Sequence, residues 1–153
     1  MPDARFADAG EGPVRLIARD PADLQVVAAL CQDAVLLGSD MAWDRRARRL
    51  DLLLNRFRWE RGGAPERVRA VLSVTGALEV SSDGVGRDAG TVLCLLSMGF
   101  EGAADAEDPS GTLLLTFAGD GAIRAGVEAL EVHLRDVTRP YSAPSGRAPS
   151  HDA

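Results

Sequence analysis

Between residues 68 and 80, every second position is apolar or glycine: Val68, Ala70, Leu72, Val74, Gly76, Leu78 and Val80. Successive side chains of a β-strand point to opposite faces, so this period of two specifies one long strand with a buried and a solvated side. A strand of that length needs hydrogen-bonded neighbours, which commits the chain to a sheet. Gly76 offers no side chain to pack, and the strand is expected to bend there. Arg67 and Arg69 have the opposite parity and are expected to point outward.

The flanking segments supply the neighbours. "PVRLIA" (13–18) reads as a short strand, and "AVLLG" (34–38), "MAWD" (41–44), "RLDLLLNRFRW" (49–59) and "TVLCLLSMGF" (91–100) read as others. The linkers "ERGGAP" and "DGVGRDAG" carry the Gly and Pro of turns. Asp20 followed by Pro21 is a helix start, because a capping side chain precedes a residue whose missing amide needs no partner. Leu24, Val27, Cys31 and Ala34 then recur at helical spacing, giving one amphipathic helix over about 21–33. Near the end, Asp120-Gly121 signals a hairpin pairing 112–118 with 122–127. The competing reading starts one long helix at Asp120, with Ile123, Val127, Leu130, Leu134 and Val137 on a stripe. Gly126 and Val127 are mediocre helix formers, which favours the hairpin followed by a helix from about 128.

Consecutive strands joined by short turns pair antiparallel, since parallel neighbours need a long crossover. The expected class is α+β: a curved antiparallel sheet or partly closed barrel, similar in outline to pleckstrin-homology-like folds, with one helix on the N-terminal side and one at the C-terminal end. The expected organisation is a loose tail over 1–12, a single domain over 13–137, and a disordered Pro- and Ser-rich tail over 138–153. The chain has 153 residues, enough for one domain with a real core.

Charge narrows the classes of partner. The net charge of −6 opposes a general nucleic-acid or anionic-membrane binder, which needs a dominant positive field. No stretch approaches the ~20 apolar residues of a membrane span, and a cytoplasmic location is the expectation. Cys31 and Cys94 are far apart inside apolar runs and read as small buried hydrophobes.

The charge is unevenly distributed. Between residues 41 and 69, nine arginines face four carboxylates, a local +5 that leaves −11 for the rest of the chain. In "NRFRWER" (55–61), Leu50, Leu52 and Leu54 share parity with Arg56 and Arg58, whereas Phe57 and Trp59 have the other parity. A bulge near Asn55 would let the leucines and both rings point inward together, turning Arg56 and Arg58 to solvent. With Arg67 and Arg69 across the hairpin, four guanidinium groups would then share one outer face. That face is the candidate site for a phosphate, a carboxylate or an acidic partner. Its ordinary alternative is a solvated strand neutralised by Glu60, Glu66 and Asp44.

Other constellations carry less. Gly84, Gly86 and Gly90 precede a strand, so no helix N-terminus is there to hold a pyrophosphate. The acidic stretch Glu101, Asp105, Glu107, Asp108 lacks the alternating oxygen ligands of a calcium loop. The two cysteines, His133 and His151 make no metal-ligand pair at working spacing. His133 reads as a residue on the flank of the final helix. No strand–turn–helix nucleophile elbow occurs. No cofactor, metal ligand or catalytic residue is therefore assigned.

"QDAVLLGSDMAWDRRARRLDLLLNRFRWE" and "GTLLLTFAGDGAIRAGVEALEVHLRDV" together resemble an uncharacterised, mainly alphaproteobacterial family catalogued as domain of unknown function 2948. The likeness runs over about 14–137, and "LNRFRWE" and "FAGDGAIR" are its most specific pieces. It implies a stand-alone cytoplasmic bacterial domain and carries no reaction chemistry. The functional expectation is a non-enzymatic binding or interaction domain using Arg56, Arg58, Arg67 and Arg69. The alternatives are a small enzyme or sensor with a pocket in the curved sheet, and a structural subunit of a homo-oligomer.

Overall fold

The computed structural model describes residues 12–60, 65–142 and 149. The chain runs β1 (Arg15–Ala18), α1 (Pro21–Cys31), β2 (Val35–Leu37), β3 (Met41–Asp44), β4 (Arg49–Phe57), β5 (Glu66–Thr75), β6 (Ala77–Asp83), β7 (Val92–Gly102), β8 (Gly111–Phe117), β9 (Ala122–Val127), β10 (Val132–Asp136) and β11 (Tyr141–Ser142). The strands form one sheet in the order β1-β10-β5-β4-β2-β7-β8-β9-β6, with β3 beside β4 and β11 beside β5. Every pairing is antiparallel. The sheet is not closed into a barrel, for β1 and β6 stand at opposite ends of the strand order.

The long alternating run becomes β5 and β6, split at Gly76, whose φ of +66° is open to glycine at little cost. β5 pairs with β4 and β10, whereas β6 pairs with β9, so the bend sends one continuous run of chain into two parts of the sheet. The expected β8–β9 hairpin forms, with its positive-φ turn residues at Gly119 and Asp120 rather than at Asp120 and Gly121, and with the Phe117 amide donating to the Gly121 carbonyl at 2.8 Å.

α1 starts at Asp20, whose side chain accepts the Asp23 amide at 2.8 Å, with Pro21 in the first turn. Leu24, Val27, Leu30 and Cys31 of this helix are buried against the inner face of the sheet. Leu16, Leu50, Leu52, Leu54, Leu72, Leu113, Leu115, Phe117 and Leu134 complete the centre of the core. Cys31 is fully buried and its thiol is pushed up to about 12 by desolvation, opposed by the nearby Arg56 charge. Cys94 is half-buried, and both cysteines are free thiols.

Two expectations are corrected. The C-terminal helix is absent: residues 132–136 form β10, held between β1 and β5. Val132 and Leu134 are buried while His133 and Arg135 take the other face, so a five-residue period of two overrides the helical stripe once two strands are there to pair with it. α1 is the one helix among the described residues. The bulge near Asn55 is also absent, for β4 pairs with β5 residue by residue from Arg49↔Thr75 to Phe57↔Arg67. Register shifts occur instead at Ala77/Glu79 and Leu95/Ser97.

The tail expected over 1–12 lies outside the described residues apart from Gly12. Of the tail expected over 138–153, Tyr141 and Ser142 pair with Arg67 and Glu66 as β11, and most of the remainder lies outside the described residues.

Candidate functional site

The unbroken register of β4 decides where its arginines go. Leu50, Leu52, Leu54 and Arg56 all point to the core side, and Arg56 is 0% exposed. Arg58, just past the strand, is 2% exposed. The outward placement expected for these two residues is therefore corrected. No single outer face carries Arg56, Arg58, Arg67 and Arg69.

A buried guanidinium is tolerable only if its charge and its five N–H groups are all met. Arg56 satisfies that condition. Its Nε donates to Asp136 Oδ1 at 3.0 Å and its Nη2 to Asp136 Oδ2 at 2.9 Å. The second fork reaches Glu60, with Nη1–Oε1 at 2.9 Å and Nη2–Oε2 at 2.8 Å, and Nη1 also donates to the Phe57 carbonyl at 3.4 Å. Both carboxylate side chains are 2% exposed. Burial alone would lower the Arg56 pKa, but the hydrogen bonds and charges of Glu60 and Asp136 outweigh it and the net shift is upward. Glu60 mirrors this: burial would raise it, yet the hydrogen bonds and charge of Arg56 hold it below the usual carboxylate range. Arg58 extends the network, with Nη1 at 2.9 Å from Glu66 Oε2 and Nε at 3.6 Å from Glu60 Oε2.

This cluster joins distant parts of the chain. Asp136 Oδ2 also accepts the Val14 amide at 2.8 Å, so β1, β10 and the end of β4 meet at one guanidinium. Phe57 is buried and Trp59 stacks edge-on against it at 4.8 Å between ring centroids. Trp59 Nε1 donates to the Gln32 carbonyl at 2.9 Å, tying the end of α1 to the same corner.

The other two sequence-selected arginines do face outward. Arg67 is half-buried and its Nη1 donates to the Asn55 carbonyl at 3.2 Å. Arg69 is exposed.

On that same outer side the fold assembles a second group of arginines. Arg15 of β1 and Arg135 of β10 are direct cross-strand partners, both exposed, and neither forms an ion pair among the described residues. Arg135 lies opposite Val71, which puts Arg69 on the adjacent diagonal. Together with Arg49, Val71, Ser73, Thr75 and His133, the Arg15–Arg135 pair lines an open depression of about 280 Å³. Arg49 is bound to Asp51 at 2.9 Å and lies opposite Asp44, so it is largely neutralised.

The polar groups between them are already engaged. Ser73 Oγ donates to Asp51 Oδ1 at 2.6 Å, and Thr75 Oγ1 donates to Glu131 Oε2 at 2.9 Å. His133 Nε2 lies 3.0 Å from the same Glu131 oxygen, and Arg19 Nε reaches the other oxygen at 3.2 Å. These partners, the His133 bond first, hold the Glu131 carboxyl down at about 2. His133 thus sits on the outer face of a strand rather than on a helix flank. What remains for a ligand is chiefly the guanidinium pair of Arg15 and Arg135, flanked by Arg69. Sequence inspection missed Arg15 and Arg135 because they lie outside the arginine-rich stretch and meet only through the β1–β10 pairing.

The fold defines an α+β domain built on an antiparallel sheet, with one helix among the described residues. No group of three or more His, Cys, Asp or Glu among the described residues is placed to hold a metal ion. No helix among them is long and apolar enough to cross a membrane. The chain belongs to the family described as protein of unknown function DUF2948, which it matches over residues 14–151. Neither the curated proteins nor the solved structures hold a match to it.

Proposed function

We propose that this is a binding domain that recognises an anionic group on the outer face of β1, β10 and β5. The observation that carries the reading is the Arg15–Arg135 pair, two exposed guanidinium groups opposite one another without a carboxylate partner among the described residues. Like charges directly opposite in a sheet disfavour the pairing by up to ~1 kcal/mol, and an anion between them reverses the sign. Two forked donors suit the oxygens of a phosphate or carboxylate. Arg69, one of the four arginines singled out from the sequence, contributes to the same field, and Arg67 stands beside it. In this reading Arg56 and Arg58 support the platform, since their charges are directed to Glu60, Asp136 and Glu66. A binding role rather than a catalytic one is supported by Ser73, Thr75 and His133, whose polar atoms already bond Asp51 and Glu131.

The test is thermal unfolding in inorganic phosphate and in citrate, against chloride at matched ionic strength. At an anion concentration about ten times Kd, Tm should rise by about 3 °C or more for a chain of this length. Arg15→Ala/Arg135→Ala should show no rise, whereas Arg46→Ala, an exposed arginine elsewhere, should behave as the parent. Equal responses in parent and double variant would overturn the reading.

A further inference from the structure

Arg15 and Arg135 belong to a longer row. Following the cross-strand partners outward from β1, Arg15 meets Arg135, Arg135 meets Val71, and Val71 meets Leu53. Extending the β2–β4 register from Val35↔Asn55 brings Leu37 level with Leu53, whose amide donates to the Asp40 carbonyl at 2.9 Å, and Leu37 pairs with Val92 of β7. Cross-strand partners share a face. Six strands thus present one transverse line on the outer side: two arginines, then four apolar residues.

The apolar end is open to solvent. Val92 is 66% exposed and Leu37 is 37% exposed, while Leu53 and Val71 are half-buried. Leu53, Leu37 and Val92 line a second depression of about 260 Å³ together with Val35, Asn55, Arg69 and Asp40, whose carboxylate accepts the Leu37 amide at 3.2 Å. Leu53 of this depression is the cross-strand partner of Val71, which lines the arginine-lined one, so the two lie next to each other along the row.

Size and polarity select the occupant. Five interstrand spacings of ~4.8 Å give a row of ~24 Å, the reach of about seven residues of extended peptide. A single phosphate or carboxylate covers only the arginine end. A wholly apolar partner would leave two unneutralised guanidinium groups beneath it, which desolvation penalises.

Resting on the anion-binding reading above, we propose that the physiological ligand is a protein segment in which acidic residues are followed by apolar ones. Its carboxylates lie over Arg15, Arg135 and Arg69, and its apolar side chains cover Val71, Leu53, Leu37 and Val92. The exposed leucine and valine and the unpaired arginines then have a common explanation.

Two capped heptapeptides test this by calorimetry against the full chain. The first carries three glutamates, a glycine, then Leu-Val-Leu, and the second has the same glutamates and glycine followed by three serines. The first should bind at least about tenfold tighter, consistent with burial of two or three apolar side chains at ~25 cal/mol per Å². Leu37→Ser/Val92→Ser should reduce the first peptide to the affinity of the second, and Arg15→Ala/Arg135→Ala should weaken both. Both serine positions are surface-exposed, and an unchanged circular dichroism spectrum verifies that the variant folds. Equal affinities of the two peptides for the parent would overturn the segment proposal while leaving the anion reading intact if phosphate still raises Tm. An affinity advantage that survives Leu37→Ser/Val92→Ser would overturn it as well. Concentration-dependent dimerisation of the parent, abolished by Val92→Ser, would assign the apolar end to a second copy and overturn it too. No binding of either peptide and no response to phosphate would remove both readings together.

Discussion

Two pairs of arginines, Arg56 with Arg58 and Arg15 with Arg135, solve the same electrostatic problem in opposite ways. At the buried corner, Arg56 lies on the inner side of β4 and is met by two carboxylates in full hydrogen-bond geometry. On the outer side, Arg15 and Arg135 stand opposite one another with no such partner among the described residues. The first arrangement uses the charge up within the molecule, and the second leaves it available. Arginine density along the sequence therefore says little about where a positive field emerges. What matters is which arginines the sheet register places beside acids.

The largest effect separating the two corners should come from Arg56→Ala. It would strand Asp136 as a buried carboxylate without its counter-ion, leave Glu60 with only Arg58 at 3.6 Å among the described residues, and release the tie between β4, β10 and β1. Breaking a buried ion pair from one side typically costs about 3–5 kcal/mol. Urea unfolding should show a loss of that order. Arg56→Met combined with Glu60→Gln and Asp136→Asn should recover much of it, because no charge then remains buried alone. If Arg56→Ala unfolds at the parental urea midpoint, the corner is not a structural anchor.

Acid titration sharpens the comparison at a smaller scale. Glu60 has its folded pKa below the unfolded value, so folding favours its ionised form. Its contribution is complete above the unfolded carboxylate range near ~4.3 and is lost as pH falls through the folded value. The same sign holds for Glu131, whose window runs from the ordinary value down to about 2. Its side chain is about one-third exposed, so solvent screening reduces its share. Urea midpoints should be nearly level from pH 7 to about 5 and fall below that. Glu60→Gln should begin lower and fall less steeply. An unchanged acid limb in Glu60→Gln would show that this carboxylate does not couple protonation to folding.

Much of the backbone was legible because it follows local rules. The alternation from Val68 to Val74, the bend at Gly76, the Asp20-Pro21 helix start and the β8–β9 hairpin each rest on neighbouring residues, whereas beyond Gly76 the expected parity fails, with Ala77 buried and Leu78 exposed. What sequence reasoning misplaced depended on long-range partners. Leu130 and Leu134 suggest a helical stripe until β1 and β5 arrive to pair with residues 132–136. Parity alone calls for a bulge near Asn55 that turns the leucines and both rings inward and Arg56 outward, and the unbroken β4–β5 register buries Arg56 instead. Glu60, four residues on, hinted at the compensation, but Asp136 could not be found without the fold. Arg67 and Arg69 were correctly turned outward by parity alone. Arg15 and Arg135 were invisible as a pair for the same reason as Asp136: only strand order brings them together.

The smallest effect is the most discriminating for function. Arg15→Ala/Arg135→Ala removes charges that bond no acid among the described residues and that oppose one another across a strand pair. Stability in chloride should therefore change by no more than ~0.5 kcal/mol, with a slight gain at low salt as the repulsion is relieved. A residue retained for folding would cost stability on removal, as Arg56 should. A residue retained for a ligand should cost nothing until the ligand is supplied. Unfolding curves of the double variant at low and at physiological ionic strength make the distinction: a loss above ~1 kcal/mol in both would put Arg15 and Arg135 in the same structural category as Arg56, and the outer face would then lose its claim to be the binding surface.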